Sequence, residues 1–147
     1  MRSAAIQLCA IALALATSGV ACASRVTPTP EPSAAATWAA VSPSGSVSGR
    51  LGPEAGTVQI GRIQSWILEL RDAAGEPLSG ARVAIGGGMP AHGHGLPTEP
   101  RVTAALPEGR YRIEGMKLNM HGDWVIDVAV ETPSLRDQLR FLVRVDF

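Results

Sequence analysis

Apolar and polar residues alternate with a period of two through most of the chain beyond residue 57. Gln64, Trp66, Leu68 and Leu70 alternate with Ser65, Ile67, Glu69 and Arg71, which predicts a strand with one apolar face. Asp72 to Pro77 reads as a turn in which Gly75 is free to take a positive φ. Ala81, Val83 and Ile85 alternate with Arg82 and Ala84 in a short second strand. Arg101 to Leu106 is a weaker strand, closed by Pro107-Glu108-Gly109. In Arg110 to Met120, Tyr111 and Ile113 share a face, and Met116, Leu118 and Met120 share one after a slip at Gly115. His121-Gly122-Asp123 predicts a hairpin turn. Trp124, Ile126, Val128 and Val130 then alternate with Val125, Asp127 and Ala129. In the last strand Leu139, Phe141, Val143, Val145 and Phe147 oppose Arg140, Arg144 and Asp146. No stretch sustains a helical period, and Thr132 to Asp137 has room for one helical turn at most. Short strands at this spacing predict an all-β fold, an antiparallel β-sandwich of two sheets. Its expected core is Trp66, Leu68, Leu70, Val83, Ile85, Trp124, Ile126, Val128, Phe141, Val143 and Val145.

The segment from Gly86 to Thr98 breaks the pattern. It reads Gly86-Gly87-Gly88-Met89-Pro90-Ala91-His92-Gly93-His94-Gly95-Leu96-Pro97-Thr98. Proline removes a backbone donor and glycine adds nothing to packing, so a loop is expected throughout. Loops on a rigid scaffold are where function concentrates.

The N-terminus divides the chain further. Arg2 precedes the uncharged apolar run Ala4 to Ala16, the signature of an export signal over residues 1–23 and too short for a membrane span. Ala21-Cys22-Ala23 fits cleavage before Ser24. Val20-Ala21-Cys22 also resembles a lipobox, imperfect because of Gly19, in which Cys22 becomes the lipidated first residue. Residues 24–56 are Pro- and Ala-rich at first and are expected to be an extended tether. Trp38 sits oddly within it. Residues 57–147 are the expected domain. Cys9 leaves with the signal, so no internal disulfide is possible and the core alone must hold the domain. The expected location is the periplasm or cell envelope, with the membrane reached only through a lipid on Cys22.

Charge adds an exclusion. The chain has 13 basic and 13 acidic residues and a formal net charge of zero. No basic run exists, so there is no electrostatic footprint for nucleic acid. No nucleophile elbow appears, and Gly86-Gly87-Gly88 leads into Met89-Pro90 rather than into a phosphate-binding helix, so no enzyme activity is expected.

The candidate chemistry lies in His92, His94 and Met89, with Met120 and His121 expected from a neighbouring hairpin. Imidazole suits copper and zinc, and thioether selects Cu(I). The absence of paired cysteines argues against structural zinc. On extended backbone, residues i and i+2 point the same way, so His92 and His94 are expected to face one ion. The competing reading is structural: histidines that close a tight loop by bonding carbonyls, and methionines that fill the core.

Five stretches together resemble a known family. They are Ile63 to Trp66, Leu68 to Pro77, Gly88 to Thr98, Gly109 to Met116 and Met120 to Trp124. Their pattern resembles the YtkA-like domain, with which FixH-family envelope proteins are often grouped, and the resemblance covers residues 57–147. It implies an immunoglobulin-like β-sandwich on an exported, often membrane-tethered bacterial protein. It also implies an association with copper handling or with assembly of copper-containing respiratory oxidases. Gln64 departs from relatives that carry histidine before the Ser-Trp pair. Two functions follow as expectations. One is a copper-binding protein serving a copper-containing membrane enzyme or another envelope protein. The other is a metal-free interaction module whose loop docks a membrane-protein partner.

Overall fold

The computed structural model describes residues 35–146. The expected export signal, Cys22, the Pro-rich start of the expected tether and Phe147 lie outside the described residues. Among the described residues there are nine strands: β1 Trp38–Val41, β2 Val47–Pro53, β3 Gln64–Asp72, β4 Arg82–Met89, β5 His94–Gly95, β6 Arg101–Leu106, β7 Arg110–Met116, β8 Gly122–Glu131 and β9 Arg136–Val145. They form two antiparallel sheets, ordered β1-β2-β3-β7-β6 and β5-β4-β8-β9. The β-sandwich expected from the alternation is present.

The core lies between the inner faces. Trp66, Leu68, Leu70, Tyr111 and Ile113 from one sheet meet Trp124, Ile126, Val128, Leu139, Phe141 and Val143 from the other, all essentially without solvent exposure. Every one of these positions follows from period-two alternation, because successive side chains of a strand face opposite ways. Val83 and Ile85 are only half-buried, since β4 lies near an edge of its sheet.

Three expectations need correction. The first is the tether over residues 24–56. Its later part is two strands of the sandwich: β2 pairs antiparallel with β3 from Val47↔Asp72 to Pro53↔Trp66. Val47 and Leu51 are fully buried. Trp38 on β1 stacks on Trp66 with ring centroids 5.6 Å apart and planes 12° from parallel. Small residues, Ser, Gly and Pro dilute the apolar pattern here, while burial of two aliphatic side chains and one indole face holds the hairpin in place.

The second concerns Gly86–Gly88, which are strand rather than loop. They pair with β8 through Gly86↔Asp127, Gly87↔Ile126 and Gly88↔Val125. Backbone approach explains the glycines. A Cβ on Gly87, at φ +139°, would stand 2.2 Å from the Val125 carbonyl oxygen, and one on Gly88 2.3 Å from that of His94. Only glycine fits a strand pressed this closely on both sides.

The third concerns His121-Gly122-Asp123, which is no hairpin turn. β7 and β8 belong to different sheets, so residues 117–121 cross between layers. Thr132 to Asp137, with room for one helical turn at most, forms none. That stretch is the tight β8–β9 turn, with Thr132 and Leu135 exchanging backbone bonds.

Candidate functional site

β4 ends at the sandwich end where β8 begins, because the two run antiparallel. Pro90 starts a 3-10 turn, Pro90–His92, for which its fixed φ is well suited. Gly93 closes the turn in the left-handed region at φ 68°, donating its N–H to the Pro90 carbonyl. The chain then returns as β5, with Met89 opposite His94 and Gly88 opposite Gly95.

This path brings the two imidazoles together by an unexpected route. His92 lies on a 3-10 turn and Gly93 is left-handed, so the backbone between the histidines is not extended. The rings nevertheless stand 6.0 Å apart, centroid to centroid, tilted by 37°. Both residues are exposed. His94 also meets Trp124 edge-on, at 5.8 Å and 63°. Its Nδ1 lies 3.1 Å from the Gly95 carbonyl oxygen. A carbonyl only accepts, so Nδ1 carries the hydrogen and the neutral ring keeps its lone pair on Nε2. Such a bond fixes the tautomer and orientation of a ligating imidazole.

The remaining predicted residues sit around this pair. Met89 is 2 % exposed. Its side chain lies in the core beneath His94, since directly opposed residues of an antiparallel pair share a face. A Cβ on Gly122 would stand 2.4 Å from the Met89 methyl, so the thioether is packed against the start of β8. Met120 is half-buried against the core, and its carbonyl accepts the Trp124 indole N–H at 3.1 Å. His121 is half-buried in the inter-sheet crossing. Gln64 is engaged elsewhere: its amide accepts from the Gln59 N–H and donates to the Thr57 carbonyl.

Beside the pair lies an open cleft of about 420 Å³, lined among others by Pro90, Gly93, His94, Val125, Asp127 and Arg140. Arg140 grips Asp127 with two hydrogen bonds, at 2.7 and 3.1 Å. Asp127 in turn holds the Arg140 guanidinium pKa above its ordinary value, chiefly through this hydrogen bonding. Neither sequence alternation nor motif pointed to this pair, although its cross-strand register follows once β8 and β9 are aligned.

The family model for YtkA-like proteins matches residues 52–129, more than half of the 147 residues. The chain belongs to the YtkA-like family. No curated protein and no solved structure matches it. The YtkA-like match spans β3 to most of β8 and so includes both histidines, the 3-10 turn and the inter-sheet crossing.

The donors suit a soft, low-coordinate cation. Two imidazoles that each give one nitrogen to a shared ion at about 2 Å have centroids roughly 5–6 Å apart, and the observed separation lies at the wide end of that range. Among the described residues no group of three or more His, Cys, Asp or Glu side chains converges. That donor set does not suit tetrahedral zinc or a hard oxygen-seeking cation. Two imidazoles fit a low-coordinate ion such as copper.

Proposed function

We propose that this YtkA-like protein binds copper as cargo in the cell envelope. In this reading it is an exported domain of immunoglobulin-like, FixH-related type, acting in copper handling or in assembly of a copper-containing membrane enzyme. It is a carrier, not a catalyst. Export follows from residues 1–23, and a lipid on Cys22 would hold it at the membrane. Mass spectrometry of the mature N-terminus decides that part: a chain beginning at unmodified Ser24 removes the anchor.

The observation that carries the proposal is the His92–His94 pair, with the His94 tautomer set by the Gly95 carbonyl. His92 and His94 supply the nitrogens. Met120, whose carbonyl accepts the Trp124 indole N–H, is the candidate third donor, with His121 the alternative. Met89 supports His94 from the core and reaches a metal only if the β4 end shifts. Exposure of both imidazoles suits a carrier, because an acceptor must reach the ion to remove it.

The test is a competition titration with Cu(I) and Cu(II) against a chelator, comparing wild type with His92→Ala/His94→Ala. Both side chains are exposed, so the variant should stay folded. Loss of Cu(I) binding in the variant is expected, and binding should weaken on acidification because a protonated imidazole cannot ligate. Equal, weak binding by both proteins would leave the interaction module as the working function.

A further inference from the structure

The sandwich is closed along one side, where β1 lies against β9. On the other side β4 lacks a neighbour for most of its length. β5 occupies the lane beside β4 only at Gly88 and Met89, and the Leu96 N–H then bonds the Gly87 carbonyl at 3.1 Å. Beyond Leu96 the chain peels away to β6 in the other sheet. Pro97 and Pro100 explain the departure, since neither has an N–H to give to a ladder.

Backbone groups alternate sides along a strand. Gly87 bonds into the β5 lane, so Ile85 and Val83, two and four residues earlier, point their N–H and C=O groups into the same lane. Among the described residues nothing bonds those four groups. They face a cleft of about 610 Å³, lined also by Leu96, Pro100 and Val102 and, at its rim, by Thr98, Glu99 and Arg101. The half-burial of Val83 and Ile85 is a consequence: their side chains form the apolar floor of this cleft. Exposed edges are normally blunted by charge, brevity or a cover. β9 carries Arg136, Arg140 and Arg144 outward, and β1 has only four residues. Along β4 only Arg82, at its start, is charged.

We propose that this lane is a strand-addition site for an extended segment of a partner protein. The segment lies antiparallel to β4, in line with β5, and exchanges main-chain hydrogen bonds with Val83 and Ile85. Alternate side chains of the segment are apolar, to meet Val83, Ile85, Leu96 and Val102. Such augmentation draws affinity from the backbone and selectivity from alternate side chains. The second wall, from Leu96 to Val102, favours a single extended strand over the edge of another sandwich. The site is independent of the histidines.

Amide exchange of the full chain by NMR gives the first test. The Val83 and Ile85 amides should exchange quickly in the free monomer, while those of Ala84 and Gly86, aimed at β8, stay protected. Protection of Val83 and Ile85 in the free chain, or their protection by dimerisation with a second copy, overturns the proposal. The second test selects peptides from a phage-displayed library of random linear sequences. Selected peptides should alternate apolar residues and slow exchange at Val83 and Ile85. Val83→Pro removes one lane donor at an edge position that tolerates proline, and should weaken binding about tenfold. Val83→Lys, which leaves every backbone group in place, should weaken it through an inward charge. Peptides that leave both amides fast, or that bind both variants like wild type, overturn the proposal.

Discussion

Trp66 and Trp124 are both fully buried core residues, yet their indole N–H groups differ. Trp124 donates to the Met120 carbonyl, whereas the Trp66 Nε1 is buried with no hydrogen-bond partner among the described residues. A buried donor without a partner costs free energy that a bonded one does not. Trp124→Phe should therefore be the more destabilising of the two phenylalanine substitutions, by about 1 kcal/mol, in urea melts. Trp124→Ala should cost roughly 3–5 kcal/mol, because the emptied space cannot fully collapse. That both tryptophans are core was legible from alternation. Which one has a hydrogen-bond partner was not, because the acceptor belongs to an inter-sheet crossing rather than to a hairpin. Met89 teaches the same lesson. Its neighbours read as loop, and only the pairing of Gly86–Gly88 with β8 turns its side chain into the core.

At the scale of elements, the first hairpin is where alternation was least informative. Gly49, Gly52 and Pro53 lie within β2, and Ser42–Ser46 form its turn with β1, so the composition resembles a linker. The strand is nonetheless essential. Fully burying Val47 and Leu51 contributes about 1.5–3 kcal/mol each, against a typical total of about 5–15 kcal/mol for a domain. A chain shortened to begin at Thr57 also loses the whole β2–β3 ladder and exposes Trp66. It should lack a cooperative thermal transition by circular dichroism. The same hairpin is pinned to β9: the Ser44 hydroxyl donates to the Asp137 carboxylate. The hydroxyls of Ser42 and Ser44, with the Gln138 N–H, hold the Asp137 pKa below its ordinary 3.8. A depressed carboxylate stabilises the fold fully above its unfolded value, and that contribution is lost as pH falls through the lower folded value. Wild type should therefore lose its stability advantage over Ser44→Ala below the ordinary aspartate range, measured as the gap between their melting temperatures across an acid titration. The Asp137 carboxyl is solvent-accessible, so the effect should be small.

For the molecule as a whole, the separate elements meet at one end of the sandwich. The 3-10 turn brings His92 and His94 together, β5 sets the His94 ring edge-on to Trp124, and the inter-sheet crossing places the Met120 carbonyl on the Trp124 indole. The histidine pair was legible in the sequence because its members are two residues apart. The contribution of the crossing depends on tertiary structure, since Met120 lies 26 residues beyond His94. This difference has a thermodynamic signature. A ligand that binds only the folded state at about a hundred times its Kd stabilises it by about 2.7 kcal/mol, and any binding to the unfolded chain reduces that. His92-Gly93-His94 can still chelate when unfolded, so the histidines alone should give only part of the full shift, reflecting ring preorganisation by Gly95 and Trp124. A third ligand from the crossing would be lost on unfolding and should restore the remainder. Differential scanning calorimetry with Cu(I), at equal saturation of wild type and Met120→Leu, separates the two. A smaller metal-induced rise in melting temperature for Met120→Leu places the thioether among the ligands. Identical rises would leave the copper on a local histidine chelate that the fold orients but does not complete.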